Sequence, residues 1–141
     1  MILGSKHLFN KEIELFSYDI LQDNLSLKEK YLYWLNDFDV VAPILSKELM
    51  MFKEMDFVEK SFQRFTSVNC QGFFIKDNIL NKFVGTIKLD KINTSNKSAE
   101  LGIMIGEKDV WGKQIGTKAS LILLDYAFNT LKLHKLSLIH I

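Results

Sequence analysis

Cysteine and long apolar runs are scarce in this chain, and each scarcity excludes a class of protein. The lone cysteine, Cys70, has no partner for an intrachain disulfide, which is typical of proteins from a reducing compartment. No apolar run approaches the roughly 18 residues of a membrane span, and the apolar start is too short for a signal peptide. We therefore expect a cytoplasmic protein that does not act at a membrane.

Charge of one sign is lacking as well. The 141 residues include 18 basic and 17 acidic side chains, for a formal net charge of +1, which gives no support for binding to nucleic acid or to a membrane surface. The hydrophobic fraction of 48% supplies a core, so we expect residues 1–141 to form one soluble domain. We interpret Cys70 as a core residue rather than a nucleophile, since no histidine adjoins it in the sequence.

A succession of strands and helices is what the sequence does contain. Strands are predicted over residues 13–21, 70–75, 83–92, 99–105 and 135–141, and helices over residues 26–36, 47–65 and 117–131. The order β-α-α-β-β-β-α-β implies a mixed, mostly antiparallel sheet flanked by helices, which belongs to the α/β (α+β) class.

Local patterns add detail to these elements. Ser26 and Glu29 have the spacing of a capping box at the start of the first helix. The residues predicted to face the core are Leu27, Tyr31, Trp34 and Leu35 in the first helix, Met51, Met55, Val58, Phe62 and Phe65 in the second, and Ala119, Leu123, Leu124, Ala127, Phe128 and Leu131 in the third. Alternation predicts that Phe83, Gly85, Ile87 and Leu89 share one face of their strand. Asn36 and Asp37 either end the first helix or contact an acceptor substrate.

The strand at 99–105, the loop at 106–116 and the helix at 117–131 together have the chemistry of an anion site. The first N–H groups of a helix lack intrahelical partners, and glycines let an anion approach them closely. Lys113 and Lys118 add positive charge at the same end. A phosphorylated ligand is one interpretation, and a turn in which Gly112 and Gly116 serve only backbone geometry is the other. The glycine spacing fits neither a P-loop nor a dinucleotide-binding fingerprint.

The segment WGKQIGT at 111–117 resembles the acyl-CoA pyrophosphate loop of the GNAT acyltransferase superfamily, usually written Q/R-x-x-G-x-G/A. It is most similar to the branch that holds ribosomal-protein and spermidine N-acetyltransferases. The likeness extends upstream through AELGIMIG, downstream through LDYAFNTLKLHKLSL, and more weakly to YLYWLND at 31–37. Gln114 stands at the usual middle glycine, which costs about 1–2 kcal/mol if that position requires a positive φ.

This resemblance implies an N-acetyltransferase that uses acetyl-CoA as cosubstrate and no metal. The acceptor would be a primary amine on a small molecule or peptide, such as a protein N-terminus, a polyamine or an amino sugar. Carried over from the family, Ile103, Met104 and Ile105 would pair with the pantetheine arm and supply a donor to the thioester oxygen. The loop residues that would bind the pyrophosphate are Trp111, Gly112, Lys113, Gln114, Ile115, Gly116 and Thr117.

Glu100 is the candidate general base for the amine proton. The two-residue period of a strand places Glu100 on one face with Gly102 and Met104. Many relatives carry an acid near this position, often acting through water. The alternative is an exposed carboxylate at the start of a strand, with no role in catalysis.

The resemblance also bears on the end of the chain. Family members continue past the fifth strand with an Asn-bearing turn, a helix that often carries a tyrosine acid, and two more strands. Because the sequence ends at Ile141, we expect a C-terminally incomplete domain, weakly active alone, that either forms a homodimer through the edge of its last strand or takes the missing segment from a partner. The alternative is a shortened product of a longer gene. For the function, the alternatives are a non-catalytic CoA-binding or protein-interaction module and a general nucleotide-binding protein.

Overall fold

The computed structural model describes residues 7–44 and 49–140 of the chain. Within these ranges, one sheet contains six strands whose order in space follows the sequence: β1 His7–Phe9, β2 Ile13–Ser17, β3 Gln71–Asp77, β4 Lys82–Asn93, β5 Ser98–Ile105 and β6 Lys135–His140. Neighbouring strands are antiparallel except β5 and β6, which are parallel. The predicted mixed, mostly antiparallel sheet is therefore confirmed.

Four helices flank this sheet: α1 Leu25–Leu35, α2 Phe38–Val41, α3 Met55–Arg64 and α4 Ile115–Asp125. Single 3₁₀ turns occupy Ala42–Ile44 and Lys108–Val110, and a π turn at Tyr126–Thr130 extends α4. The sequence does not predict β1 and α2, because three or four residues are too few to show a period. The predicted helix start at 47 and the predicted strand end at 141 lie outside the described residues. No helix in the described ranges is long and apolar enough to cross a membrane.

Helix α1 begins earlier than its predicted capping box. The side chain of Asn24 accepts a hydrogen bond from the Leu27 N–H at 3.0 Å, so Asn24 is the N-cap and Ser26 lies inside the first turn. The predicted capping box of Ser26 and Glu29 is therefore wrong. Asparagine caps a helix about as well as serine, and the earlier cap adds residues to the helix.

The two faces of the sheet bury separate cores. Helix α4 covers one face, where the core includes Leu15, Ile87, Leu101 and Leu123. Helices α1 and α3 cover the other, and the residues buried there are largely aromatic: Tyr18, Tyr31, Trp34, Phe62, Phe65 and Phe74. The predicted core face of α1 is confirmed, as is that of α3 from Val58 onward. Met51 is 69% exposed because it precedes α3, so its predicted core position is wrong.

A bulge in β4 changes which residues share a face. Ile75 pairs with Gly85 and Lys76 with Phe83, which leaves Val84 as the extra residue. Val84 joins Ile87 in the core under α4, whereas Phe83 packs against Phe74 on the opposite face. The predicted common face of Phe83 and Ile87 is wrong, because one inserted residue reverses the alternation.

A π turn ends the helical segment that begins with α4. The Leu131 N–H donates to the Tyr126 carbonyl at 3.0 Å, a bond that spans five residues instead of four. Tyr126 lies three residues after the buried Leu123, on the core face of the helix, and its hydroxyl donates to Gln71 Oε1 at 2.6 Å. Phe128 lies five residues after Leu123, which places it on the opposite side of the helix, and it is 42% exposed. Its predicted core position is therefore wrong.

Candidate active site

The parallel pair β5 and β6 separates partway along β5. Cα pairing begins at Ser98 opposite Lys135 and ends at Gly102 opposite His140, with a register shift after Leu101. Within the described chain, residues 103–105 continue β5 with pairing to β4 alone. The far side of residues 103–105 therefore faces a cleft rather than a neighbouring strand.

Backbone groups of β5 are directed into this cleft. The Gly106 N–H donates to the Val84 carbonyl of β4 at 2.8 Å. Successive residues of a strand turn their backbone groups to opposite sides, so those of Ile103 and Ile105 are directed away from β4. In agreement, the Ile105 carbonyl accepts a hydrogen bond from the indole Nε1 of Trp111 at 3.1 Å.

The start of α4 forms the opposite wall of the cleft. Gln114 is the N-cap residue, with φ of 62° and ψ of 27°, and its side chain makes no capping hydrogen bond. Gly112 also has a positive φ, 84°, and a Cβ added there would meet open space. The chain therefore turns sharply into the helix, and position 114 does have the positive φ that would favour glycine.

Helix α4 and strand β5 approach each other closely at this point. A Cβ added to Gly116 would lie 3.3 Å from Ile103 Cδ1. The cleft between the two elements encloses about 880 Å³. Its lining includes nine of the ten predicted cofactor-binding residues: Ile103, Met104, Ile105, Trp111, Gly112, Gln114, Ile115, Gly116 and Thr117.

The structure distinguishes the two lysines predicted to add charge at the helix start. Lys118 Nζ lies 2.6 Å from Glu12 Oε2, so its charge is paired with the turn between β1 and β2. Lys113 is exposed in the loop, and its N–H donates to the Val110 carbonyl at 3.2 Å. Lys113 thus contributes side-chain charge, while its backbone N–H is used within the turn.

A second cavity of about 430 Å³ lies on the other face of the sheet, against α1 and α3. Its apolar wall includes four aromatic residues: Tyr18, Tyr31, Phe57 and Phe65. Its charged wall holds Lys60, Arg64, Lys88, Asp90, Lys91 and Glu100. The cavity and the cleft share Ile44, Ile103 and Met104, so the two openings meet near the end of β5.

Glu100 lines this cavity together with Gly102 and Met104, which confirms the predicted common face. Its side chain is 25% exposed, and Oε2 lies 3.3 Å from Lys91 Nζ. Glu100 and Met104 are four positions apart, a distance of about 13 Å along a strand. A proton released near Met104 would therefore reach Glu100 through water rather than directly.

Asp90 is the centre of a charged cluster that sequence reasoning missed. Its carboxylate lies 2.5 Å from Arg64 Nη2 and 3.8 Å from Lys88 Nζ, and it accepts the Lys91 N–H at 2.8 Å. Burial alone would raise the pKa of Asp90, but these partners and the Cys70 thiol outweigh burial and lower that pKa. The signal in the sequence was the pair Lys88 and Asp90, two charges on one face of an otherwise apolar strand.

Burial beside this cluster shifts the pKa values of Cys70 and Lys88. Burial and the Asp90 carboxylate raise the pKa of the Cys70 thiol to about 12, and Cys70 is 5% exposed, which confirms it as a core residue. Burial lowers the pKa of Lys88, and Asp90 offsets this only in part. Among the described residues, no group of three or more His, Cys, Asp or Glu side chains could hold a metal ion.

Asn36 and Asp37 make structural contacts. The Asn36 side chain donates to the Lys53 carbonyl at 2.9 Å and accepts the Lys53 N–H at 2.8 Å. Asp37 caps α2 by accepting the Asp39 N–H, and it lies 3.0 Å from Lys108 Nζ. Of the two interpretations, the structural one describes these residues.

Comparison with known proteins places this geometry in a family. The sequence model of the family described as Acetyltransferase (GNAT) domain matches residues 26–140. Spermidine N-acetyltransferase from Vibrio cholerae, in complex with CoA and spermine, superposes with a TM-score of 0.75 and 22% identity, over 92% of this chain and 71% of that one. A GNAT-family acetyltransferase from Bacillus anthracis gives 0.69 and 17%, over 92% and 70%. Microcin C7 self-immunity acetyltransferase MccE, in complex with acetyl-CoA and AMP, gives 0.65 and 23%, over 88% and 66%.

No curated protein matches the sequence significantly. At these identities, the likeness to solved structures shows the fold alone. The match to the family, in contrast, covers most of the chain, including α1, α3, β5, the cleft loop and α4. The chain belongs to the GNAT acetyltransferase family.

Proposed function

We propose that this chain is an acetyl-CoA-dependent N-acetyltransferase that transfers an acetyl group to a primary amine. The observation that carries this proposal is the meeting of the cleft and the cavity at Ile103 and Met104. Openings on the two faces of one sheet let two substrates reach the same strand segment from opposite sides. Membership in an acetyltransferase family supports acetyl transfer as the reaction.

The residues of the cleft fit acetyl-CoA. The first N–H groups of α4, at Ile115, Gly116 and Thr117, lack intrahelical partners and would bind the pyrophosphate. The positive φ of Gly112 and Gln114 turns the loop so that the helix start faces the cleft. The backbone groups of residues 103–105 would pair with the amides of the pantetheine arm. Two structural neighbours are complexes with CoA or acetyl-CoA, which agrees with this assignment.

Acetyl-CoA supplies the acetyl thioester for the transfer. The amine nitrogen forms a bond to the acetyl carbon, the carbon–sulfur bond breaks, and the sulfur takes up a proton as the CoA thiol. Glu100 would accept the proton that the amine loses, through water in the cavity. A backbone N–H of Ile103 or Ile105, directed into the cleft, would donate to the thioester oxygen as it gains charge.

We also propose that the acceptor is a small molecule or peptide and that the chain forms a homodimer through β6. The likeness to ribosomal-protein and spermidine N-acetyltransferases leaves protein N-termini, polyamines and amino sugars as acceptors. Strand β6 ends the described sheet on one side, and such an edge offers backbone groups to another copy. Light scattering of the purified chain tests the dimer, and a monomer at high concentration would contradict it.

Binding of acetyl-CoA can be tested with Gly116→Val. The added side chain would be forced toward Ile103 Cδ1, which lies 3.3 Å from the Cβ position, and it would occupy the cleft at the helix start. We expect calorimetry to show at least tenfold weaker binding of acetyl-CoA, about 1.4 kcal/mol, with the fold retained by circular dichroism. The control is Asn129→Val, at the exposed far end of the same helical segment. Unchanged affinity in Gly116→Val would contradict the site.

Catalysis itself can be tested by incubating pools of primary amines with acetyl-CoA. A mass increase of one acetyl group on an amine, together with release of free CoA thiol, is the expected result. Binding of acetyl-CoA without any acetylated amine would favour a non-catalytic CoA-binding module instead.

A further inference from the structure

The charges of the cavity against α1 and α3 indicate which amines this protein accepts, provided that the proposed function holds. The cavity wall carries four cationic side chains, on Lys60, Arg64, Lys88 and Lys91, and two carboxylates, on Asp90 and Glu100. The cations come from α3 and β4, which form two adjoining sides of the cavity. The described wall therefore has an excess of positive charge, although the whole chain is nearly neutral.

Pairing within the wall does not remove this excess. Asp90 serves two cations at once, because Arg64 lies 2.5 Å and Lys88 3.8 Å from the same oxygen, Oδ2. Glu100 is paired with Lys91 at 3.3 Å. Lys60 lies 3.9 Å from Asp56, but both side chains are more than 70% exposed, so water weakens that pair. An anion that enters the cavity would therefore meet positive charges that the carboxylates of the wall do not fully neutralise.

The ring of Phe65, an aromatic surface of the cavity, already interacts with cations of the protein itself. Lys88 Nζ lies 5.0 Å from the centre of the Phe65 ring, and Arg64 Cζ lies 5.3 Å from it. Aromatic faces bind cations, but these two protein cations already interact with Phe65. A polyamine, which carries several positive charges, would thus meet repulsion without that compensation.

Strand register gives the distance between the charged wall and the reaction centre. Thr86 pairs with Met104, where the cleft and the cavity meet, and Lys88 pairs with Gly102, two residues away. Two residues span about 7 Å along a strand. A short molecule can therefore place its amine near Met104 and a second group beside Lys88 and Arg64.

We infer that the acceptor is an amine that carries an anionic group, a carboxylate or a phosphate, about 7 Å from the nitrogen, and that polyamines are poor acceptors. Arg64, Lys88 and Lys60 are the specificity-determining residues that hold this anion. The reaction is unchanged: the nitrogen–carbon bond forms, the carbon–sulfur bond breaks, the amine loses a proton and the CoA sulfur gains one. The anion stays intact and serves only to position the amine.

The test compares amines that differ only in charge, by release of CoA thiol and by mass. For a carboxylate, the probes are the dipeptide amides Ser-Asp, Ser-Asn and Ser-Lys; for a phosphate, they are glucosamine 6-phosphate and glucosamine. Spermidine is the polyamine probe. We expect kcat/KM to be about three to ten times higher for the anionic member of each set, which is the effect of a screened charge interaction at this distance. This preference should decline as salt is added. The better of the two anionic probes identifies the source of the anion.

Two variants test whether a preference for anionic amines arises from this cavity. Lys60→Glu reverses an exposed charge on the wall without touching Asp90, and Lys11→Glu makes the same change in the turn between β1 and β2. We expect Lys60→Glu to reduce the anionic preference at least threefold and Lys11→Glu to leave it unchanged. Calorimetry of glucosamine 6-phosphate and glucosamine with the CoA-bound protein measures the same preference without turnover.

The outcomes separate this inference from the proposed function. Acetylation of neutral or cationic amines as good as that of anionic ones would overturn the inference and leave the acetyltransferase intact. A preference that Lys60→Glu and Lys11→Glu leave equally unchanged would overturn its assignment to this cavity. Failure to bind acetyl-CoA would overturn the proposed function, and with it the inference.

Discussion

Backbone strain at single residues marks both openings of this protein. The described residues other than glycine with positive φ are Asn81, Lys91, Lys97, Gln114 and Lys132. Gln114 lines the cleft and Lys91 lines the cavity, at φ of 62° and 50°. Left-handed residues that are not glycine cost energy and persist where the surrounding structure demands them. The positive φ of Gln114 was predictable, because the family that the sequence resembles has glycine at that position. Nothing in the sequence indicates a positive φ at Lys91.

Replacing Gln114 with glycine should release this strain. Left-handed backbone costs a residue with a Cβ about 1–2 kcal/mol, and the greater freedom of glycine in the unfolded chain cancels about half of that gain. We expect Gln114→Gly to raise the free energy of unfolding by about 0.5–1 kcal/mol in urea titrations. Gln114→Ala, which keeps the Cβ, should give no such gain. Acetyl-CoA should bind Gln114→Gly as tightly or more tightly; weaker binding would mean that the Gln114 side chain contacts the ligand.

The role proposed for Glu100 predicts a kinetic effect. A well-placed general base contributes on the order of 10²–10⁴-fold to the rate. We expect Glu100→Gln to lower kcat/KM at least tenfold near neutral pH and to alter the acidic limb of the pH–rate profile. Glu14→Gln is a matched control, because Glu14 is also a strand carboxylate with a side-chain partner, His7 Nε2 at 3.1 Å, and its side chain is 24% exposed against 25% for Glu100. A profile identical to that of the unaltered protein would give Glu100 a structural role.

Elements with a clear period were predictable, and their irregularities were not. Helix α1 and strands β3, β4 and β5 extend over enough residues for the apolar pattern to define them. The bulge at Val84 and the π turn at Tyr126–Thr130 each shift a pattern by one residue. Such shifts depend on contacts with neighbouring elements, so the sequence of the element itself does not contain them. The face of Phe83 was therefore predicted wrongly although its strand was predicted correctly. Phe128 is a different case, because the regular helical period already places it opposite the core face.

Close packing of α1 on the end of β5 is an element-scale feature that one methyl group can test. A Cβ at Gly106 would lie 2.1 Å from Trp34 Cδ2, and Trp34 is fully buried, so neither group can move aside. We expect Gly106→Ala to lower the free energy of unfolding by at least about 2 kcal/mol. The same change in Gly116→Ala meets only the tip of Ile103 at 3.3 Å and should alter it by less than about 1 kcal/mol. Equal unfolding curves for Gly106→Ala and the unaltered protein would show that α1 can shift.

At the scale of the whole molecule, two substrate-sized spaces lie on opposite faces of one sheet and meet where β5 separates from β6. The cleft was predictable in large part, because its loop, helix start and strand are adjacent in sequence. The cavity was not, because its walls come from α1, α3, β4 and β5, which are far apart along the chain. The packing of α3 on the sheet brings Arg64 beside Asp90, and the pairing of β4 with β5 brings Asp90 beside Glu100. The sequence suggested Glu100 as a general base, but it did not predict which residues surround Glu100.

The cluster at Asp90 connects helix α3 to the sheet, and we expect it to influence how the stability of the whole fold responds to acid. Its carboxylate joins α3 to β4 through Arg64, and its pKa is lowered in the folded protein despite burial. A lowered pKa stabilises the fold fully above the ordinary pKa of about 3.8, and that contribution is lost as the pH falls through the folded value. Asp90→Asn should therefore lower the free energy of unfolding by about 1.5–3 kcal/mol at neutral pH, the range for hydrogen bonds to charged groups.

The difference between Asp90→Asn and the unaltered protein should shrink as the pH falls below the ordinary pKa of about 3.8 and through the lower folded value, because both side chains are then uncharged. Urea titrations across this range measure it. Asp56→Asn provides the control: Asp56 is 73% exposed and lies 3.9 Å from Lys60, so its removal should change stability by less than about 0.5 kcal/mol at every pH. A constant difference for Asp90→Asn down to the lowest pH would contradict the lowered pKa. The cost would then come from lost packing around the carboxyl group, because packing does not depend on its ionisation.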